Sequence, residues 1–174
     1  MLRPTLFAIA VFLTAAGWSF GQEFPQPGPE HKQLKELVGD WDAVMDMAGQ
    51  KSKATAIYKT ILGGMWIESD FQGKLGELPF QGRGLDGYDL TRKKYVGIWC
   101  DSVSSAPMHF EGNYEPGTKR LVMTGESLGP DGQPQKFKNV TETKDKDHFT
   151  FQMFMILPDG KDQLMFTIEY TRKK

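Results

Sequence analysis

The sequence predicts an all-β protein, an antiparallel up-and-down barrel of about ten strands with a short helix before the first strand. Three observations indicate this fold class. Short segments rich in β-branched and aromatic residues follow one another at intervals of roughly 10–12 residues. Glycine and proline turn signals separate these segments. No second long helical pattern interrupts them, which argues against a parallel α/β sheet.

Residues 1–21 are predicted to be a secretory signal peptide. Arg3 precedes an apolar run over residues 6–16, and this run is shorter than the roughly 20 residues of a membrane-spanning helix. Small residues at Ser19 and Gly21 favour cleavage before Gln22, and the Ala-x-Ala-like stretch from Thr14 to Ala16 is an alternative cleavage site. An uncleaved membrane anchor is the alternative. We therefore expect an exported protein, in the periplasm or outside the cell.

Residues 22–29 predict an extended tether, because this stretch is rich in proline. A short helix is predicted next, in "PEHKQLKELVG". Pro29 suits a first helical turn, and Gly39 can adopt the left-handed conformation in which helices end. Residues 30–174 are then expected to form a single barrel domain, since a chain of this length is typical of one domain.

The rest of the chain divides into predicted strands, and the first of these begins at Trp41 in "WDAVMDM". Gly39 and Trp41 are expected to close one end of the barrel. The fourth predicted strand, PFQGRGLDGYD, is rich in glycine, which predicts β-bulges or a bend at a barrel corner. The later segments are SKATAIYKTIL, MWIESDF, PFQGRGLDGYD, KKYVGIWCDS, PMHFEGNYE, RLVMTGES, QKFKNVTETK, HFTFQMFMIL and DQLMFTIEYTR.

Alternation assigns the two faces of most strands, because successive side chains of a strand point to opposite sides of the sheet. The side chains expected inside are Tyr95, Trp99, Met108, Phe110, Tyr114, Phe149, Phe151, Met153, Met155, Leu157, Leu164, Phe166, Ile168 and Tyr170.

The third strand leaves two alternatives open. If Trp66 faces the interior, Glu68 and Asp70 face it as well, and burial would raise the pKa values of both carboxyls. If Ile67 and Phe71 face the interior, both acids are solvated.

Composition excludes several classes of protein. Lys and Arg number 21 against 22 Asp and Glu, so the chain lacks the basic character of a nucleic-acid-binding protein. Beyond the signal peptide, no stretch has the length and apolarity of a membrane span. Cys100 is the single cysteine, so we expect no internal disulfide and a buried, unreactive thiol.

The short helix followed by Gly39-x-Trp41 on the first strand resembles the start of lipocalin-like (calycin-type) barrels. That resemblance implies a tryptophan that packs across the closed end of the barrel. A closer resemblance covers residues 29–174 and is to the Domain of Unknown Function 1579 family of bacterial proteins. It is carried by "HKQLKELVGDWD", "GGMWIESDFQG", "PFQGRGLDGYDLTRKKYVGIWCDS", "FEGNYEP", "LVMTGE", "PDGQP" and "EYTRK". It implies a lipocalin-like barrel and brings no catalytic residue with it.

The histidines do not predict a metal site, since His31, His109 and His148 lie on different segments without ligand spacing. We considered haem held by one histidine, as in some lipocalin-like barrels of ten strands. The tryptophan motif of those barrels continues with glycines two and four residues on, where this chain has Ala43 and Met45. We therefore expect neither metal nor cofactor.

The leading functional prediction is the binding of a small, mostly apolar molecule inside the barrel, because small barrels of this type can hold one ligand. A ligand-free barrel of the cell envelope that acts structurally or through its surface is the first alternative. A small-molecule enzyme with buried carboxylates from Glu68, Asp70 and Asp101 is the second. The sequence does not fix the oligomeric state. The residues expected to contact the ligand are Trp66, Trp99, Met108, Phe110, Phe151, Met153 and Phe166.

Overall fold

The computed structural model describes residues 24–129 and 132–174. The predicted signal peptide lies outside these residues. One helix, α1 (Pro29–Lys35), precedes ten strands, and a short 3-10 turn (Leu62–Gly64) separates the second strand from the third. The strands are β1 (Gly39–Met47), β2 (Gln50–Ile61), β3 (Trp66–Leu75), β4 (Leu78–Asp89), β5 (Lys94–Asp101), β6 (Met108–Tyr114), β7 (Arg120–Leu128), β8 (Pro134–Thr143), β9 (His148–Ile156) and β10 (Asp162–Arg172).

The ten strands form a closed antiparallel barrel in which each strand pairs with its neighbours along the chain. Closure comes from β1 and β10, where Trp41 lies opposite Arg172 and Met45 lies opposite Ile168. The predicted fold class is therefore confirmed. Closure leaves no unpaired sheet edge that could recruit another chain.

Helix α1 lies at the end of the barrel where β1 begins and β10 finishes. Trp41 is fully buried there, and its indole nitrogen donates a hydrogen bond to the Leu37 carbonyl at 2.8 Å. The Arg172 guanidinium stacks on the Trp41 ring at 4.1 Å and donates to the carbonyls of Val38 and Glu36. Gly39 leaves space for that guanidinium, since a Cβ there would overlap Arg172 Nη1. These contacts tie the first and last strands to the end of the helix.

The interior contains two clusters of buried side chains. One centres on Trp41, Phe149 and Tyr170, and the other includes Leu34, which α1 contributes. Four half-buried side chains pack against both clusters and so lie between them: Tyr58, Trp99, Phe151 and Phe166. In the described part of the chain, no helix is long and apolar enough to cross a membrane.

The hairpin loops mark the opposite end of the barrel. Because β1 runs away from α1, the β1–β2 turn and every second loop after it lie at the end far from the helix. These later loops are β3–β4, β5–β6, β7–β8 and β9–β10.

Leu164 does not follow the predicted inward phase. A β-bulge lies between Leu164 and Phe166 and leaves Leu164 half exposed.

Candidate functional site

The candidate site is the inward face of the barrel between its two buried clusters. Trp99, Met108, Phe151 and Phe166 point inward and keep part of their surface accessible. Phe80 and Met155, near the hairpin end, do the same. These inward side chains are therefore not sealed in the two packed clusters. The accessible lining is aromatic and methionine-rich, which is typical of sites for apolar molecules.

Six of the seven predicted ligand-contacting residues lie on this inward face. Phe110 and Met153 are buried in the packed core. The other four keep accessible surface: Trp99, Met108, Phe151 and Phe166. The structure therefore brings these residues together, and their contact with a ligand stays a prediction.

Trp66 lies outside the barrel, unlike the other six. On β3 the buried side chains are Ile67, Ser69 and Phe71, so Trp66 has the outward phase. Its ring lies over Gly87 of the neighbouring strand, where a Cβ would come within 2.7 Å of Trp66 Cε3. Trp66 therefore covers the outer face of the sheet and does not line the interior.

An outer groove of about 760 Å³ runs beside Trp66. Its walls include Val96 and Ile98, together with the ion pair between Arg92 and Glu111 at 2.7 Å. The groove is open to solvent and its walls mix apolar and charged groups.

The acids of β3 are also outward. Glu68 and Asp70 each form an ion pair with Arg83 of β4, at 3.0 Å and 2.7 Å. The side chain of Arg83 is 63% exposed, so this cluster is solvated. The solvated alternative for β3 is therefore the one observed, and neither acid belongs to an interior site.

The remaining polar residues considered from the sequence do not form a catalytic group. Asp101 lies near the hairpin end and accepts a hydrogen bond from the Trp99 indole nitrogen at 3.0 Å. His109 is exposed on the outer face, opposite in phase to the buried Phe110. Cys100 is exposed, so the prediction of a buried thiol was wrong. Its outward position follows from the inward phase of Trp99.

The glycines of β4 make room for tryptophan rings. A Cβ at Gly82 would overlap the indole of Trp99, and one at Gly84 would lie 3.4 Å from the same ring. The pairing of β4 with β3 and β5 is continuous in register, so the predicted bulges in this strand are wrong. Gly82 instead leaves room for the Trp99 ring, and Gly84 leaves room for Ser69 Oγ, which a Cβ there would approach to 2.5 Å.

Asp86 is the interior group that the sequence interpretation missed. It shares the inward phase of β4 with Gly84 and Tyr88, and it lies between Ile67 of β3 and Gly97 of β5. Gly97 is buried, and a Cβ there would come within 2.7 Å of Asp86 Oδ1. Burial raises the pKa of Asp86 to about 7, because a charged carboxylate is poorly solvated inside the protein.

Tyr58 lies close enough to Asp86 for their charges to interact, and Tyr170 lies beside Tyr58. Burial, followed by the proximity of Tyr170 and Asp86, raises the pKa of Tyr58 well above its ordinary value. Burial likewise raises the pKa of Tyr170, which forms a hydrogen bond with Tyr58. Both hydroxyls stay protonated at neutral pH. The interior therefore combines an apolar lining with a small polar region around Asp86.

The closed end of the barrel contains a second buried polar group, His31 of α1. Its Nδ1 accepts a hydrogen bond from the Gly28 N–H at 3.0 Å, so the ring proton resides on Nε2. Nε2 is buried without a partner in the described residues, and the ring packs edge-on against Tyr88. Burial lowers the pKa of His31. This neutral histidine packs the helix onto the barrel.

The sequence of this chain matches the model of a protein family. The family model described as "Protein of unknown function (DUF1579)" matches residues 26–172. The chain belongs to the DUF1579 family. The resemblance seen in the sequence motifs is therefore confirmed, and no curated protein matches this DUF1579 chain in sequence. Among the described residues, no group of three or more histidine, cysteine, aspartate or glutamate side chains could hold a metal ion.

Solved structures share the fold of this DUF1579 protein at low sequence identity. Rv2717c from M. tuberculosis matches with a TM-score of 0.62 and 12% identity, over 84% of this chain and 99% of that one. The S-type phycobiliprotein lyase CPES from Guillardia theta matches with a TM-score of 0.52 and 11% identity, over 83% of this chain and 93% of that one. These similarities show the barrel fold.

Proposed function

We propose that this DUF1579 protein binds a small, mostly apolar molecule inside its barrel. The observation that carries the proposal is the accessible surface of inward aromatic and methionine side chains, above all Trp99, Phe151 and Phe166. These three side chains pack against both core clusters without being fully buried. An apolar ligand between them would remove this surface from water, which is favourable at about 25 cal/mol per Å².

The two ends of the barrel differ, and this difference would let a ligand enter from the end without the helix. Helix α1 and Trp41 occupy one end, whereas hairpin loops form the opposite end in the part of the chain that the structure describes. Phe80, Met108 and Met155 line the inner wall toward that second end. A ligand would therefore enter between the hairpins and come to rest against Trp99.

The fold alone does not choose between binding and catalysis, because one fold supports many functions. A phycobiliprotein lyase shares this barrel, and so the architecture is compatible with a protein that acts on a substrate. The outward positions of Glu68 and Asp70 remove two of the three acids that an enzyme was expected to use. Binding is therefore the function that the interior supports best.

Tryptophan fluorescence tests the proposal, since Trp99 lies in the site. Titration of the wild-type protein with octanol is expected to change the emission of Trp99 in a saturable way. Trp66→Phe is the matched control, because it removes an indole from the outer face and should leave the change intact. Trp99→Phe should abolish it. Protein purified from its own host is also measured by native mass spectrometry. An unchanged emission, together with a measured mass equal to that of the protein alone, would support a ligand-free barrel instead.

We also propose export, on the basis of the apolar run at residues 6–16 and the small residues before Gln22. Cell fractionation followed by N-terminal sequencing of the mature protein tests this. A mature chain that begins near Gln22 outside the cytoplasm is the expected result. An intact N-terminus in the cytoplasm would overturn the proposal.

A further inference from the structure

Asp86 presents an unpartnered carboxyl on the inward face of the barrel. In the described part of the chain, this side chain makes no hydrogen bond or ion pair, although burial normally requires a carboxyl to have a partner. The nearest basic residue on its own strand, Arg83, has the opposite phase and pairs with Glu68 and Asp70 outside the barrel. Among the described residues, no cation interacts with this acid.

The Asp86 carboxyl packs against β5 and is still partly accessible. Gly97, directly opposite on β5, makes room for it, since a Cβ there would come within 2.7 Å of Asp86 Oδ1. The Asp86 side chain itself keeps accessible surface although protein surrounds it. Tyr58, which lies close enough to interact with the Asp86 charge, is also half-buried and accessible. Tyr58 packs against both core clusters, as Trp99 and Phe151 do.

We propose that Asp86 is the polar anchor of the site and pairs with a protonated amine carried by the apolar ligand. This inference rests on the proposed binding function and specifies the class of ligand. An ionised carboxylate accepts hydrogen bonds but donates none, so a group with several N–H donors complements it. A ligand carboxylate would instead place two like charges together without a counterion.

Three probes with the same tail and different head groups test this: octylamine, octanol and octanoate. Their affinities are measured by isothermal titration calorimetry at about pH 8, where the amine stays protonated because alkyl amines lose their proton only at about pH 10. Octylamine is expected to bind about ten-fold or more tightly than octanol, since a hydrogen bond to a charged group is stronger than a neutral one. Octanoate is expected to bind most weakly.

Asp86→Asn separates the anchor from the rest of the site. This variant should bind octanol as the wild type does and lose the preference for octylamine. Asp42→Asn, the same change at an exposed position of β1, is the matched control and should retain the preference. The octylamine affinity of the wild type should fall as the pH is lowered below about 7, the pKa of Asp86. Tyr58, which lies close enough to interact with the Asp86 charge, and Tyr170 beside it both have raised pKa values and stay protonated throughout.

The outcomes distinguish the two proposals. If none of the three probes binds, the proposed binding function is overturned and this inference with it. If all three bind equally to the wild type, binding stands and the amine anchor is overturned. If octylamine is preferred but Asp86→Asn keeps that preference, the anchor is not Asp86 and the inference is overturned.

Discussion

Replacing Asp86 by Asn is predicted to stabilise the protein at neutral and alkaline pH. The change keeps the shape of the side chain and removes its ability to ionise. Asp86 is surrounded by protein and has no partner among the described residues. The wild-type protein therefore has to keep this carboxyl protonated, or bury its charge, whereas the unfolded chain ionises it freely in water.

The structure gives the magnitude and the sign. Burial raises the pKa of Asp86 from 3.8 to about 7. The difference between these two values corresponds to about 4 kcal/mol of unfolding free energy. Because the folded-state pKa is the higher one, stability from this group is fully present below pH 3.8 and falls as the pH rises to about 7. The advantage of Asp86→Asn should therefore be small near pH 4 and reach about 4 kcal/mol above pH 7.

Urea unfolding of both proteins, followed by circular dichroism between about pH 4.5 and 8, measures this difference. Linear extrapolation gives the free energy of unfolding at each pH. Asp42→Asn provides the baseline for the same chemical change at an exposed position. If Asp86→Asn and the wild type show parallel pH profiles, the carboxyl is hydrated or paired in the folded protein. That result would refute the reasoning.

Three further predictions concern packing and the closed end of the barrel. Trp41→Ala should lower the unfolding free energy by about 3–5 kcal/mol in urea titration, because Trp41 is fully buried; a loss below about 1 kcal/mol would contradict its packing role. Gly112→Ala should cost about 1–3 kcal/mol in the same assay, since its Cβ would overlap the Val122 carbonyl oxygen; an unchanged midpoint would contradict this. His31→Gln should weaken the loss of stability below pH 6.5 in pH-dependent thermal unfolding, because burial lowers the pKa of His31 from that value; an unaltered pH profile would argue against a buried neutral ring.

Strands with one apolar face could be assigned from the sequence. In β9, Phe149, Phe151 and Met153 alternate with more polar residues, and the structure places all three inside. The assignment works because a side-chain period of two leaves one consistent choice of face. Strand number and closure followed from the same pattern repeated along the chain.

The face of β3 could not be assigned, because this strand carries large apolar groups in both phases. Trp66 and Ile67 are adjacent, and alternation alone does not say which of them is inside. The neighbouring strand decides the matter: Gly87 leaves a place for the Trp66 ring on the outer surface. That information belongs to strand pairing, which a linear sequence does not contain.

Asp86 could have been found, but only by treating the glycines of β4 as part of the alternation. Counting by twos from Phe80 to Tyr88 passes through Gly82, Gly84 and Asp86, and so places the acid inside. If these glycines are instead interpreted as β-bulges, the alternation is interrupted and no longer assigns Asp86 to either face. The bulge that does shift the phase lies at Leu164, where no glycine marks it.

The buried acid helps to distinguish a ligand-binding barrel from one that is filled by its own side chains. A barrel that serves only as a stable envelope component gains nothing from an unpaired carboxyl at its centre, since burial of that group lowers stability at neutral pH. An apolar side chain at position 86 would avoid this loss. Groups that reduce stability are retained where an activity uses them. Asp86, with Gly97 opposite and accessible aromatic side chains nearby, therefore favours a binding interior over a filled one.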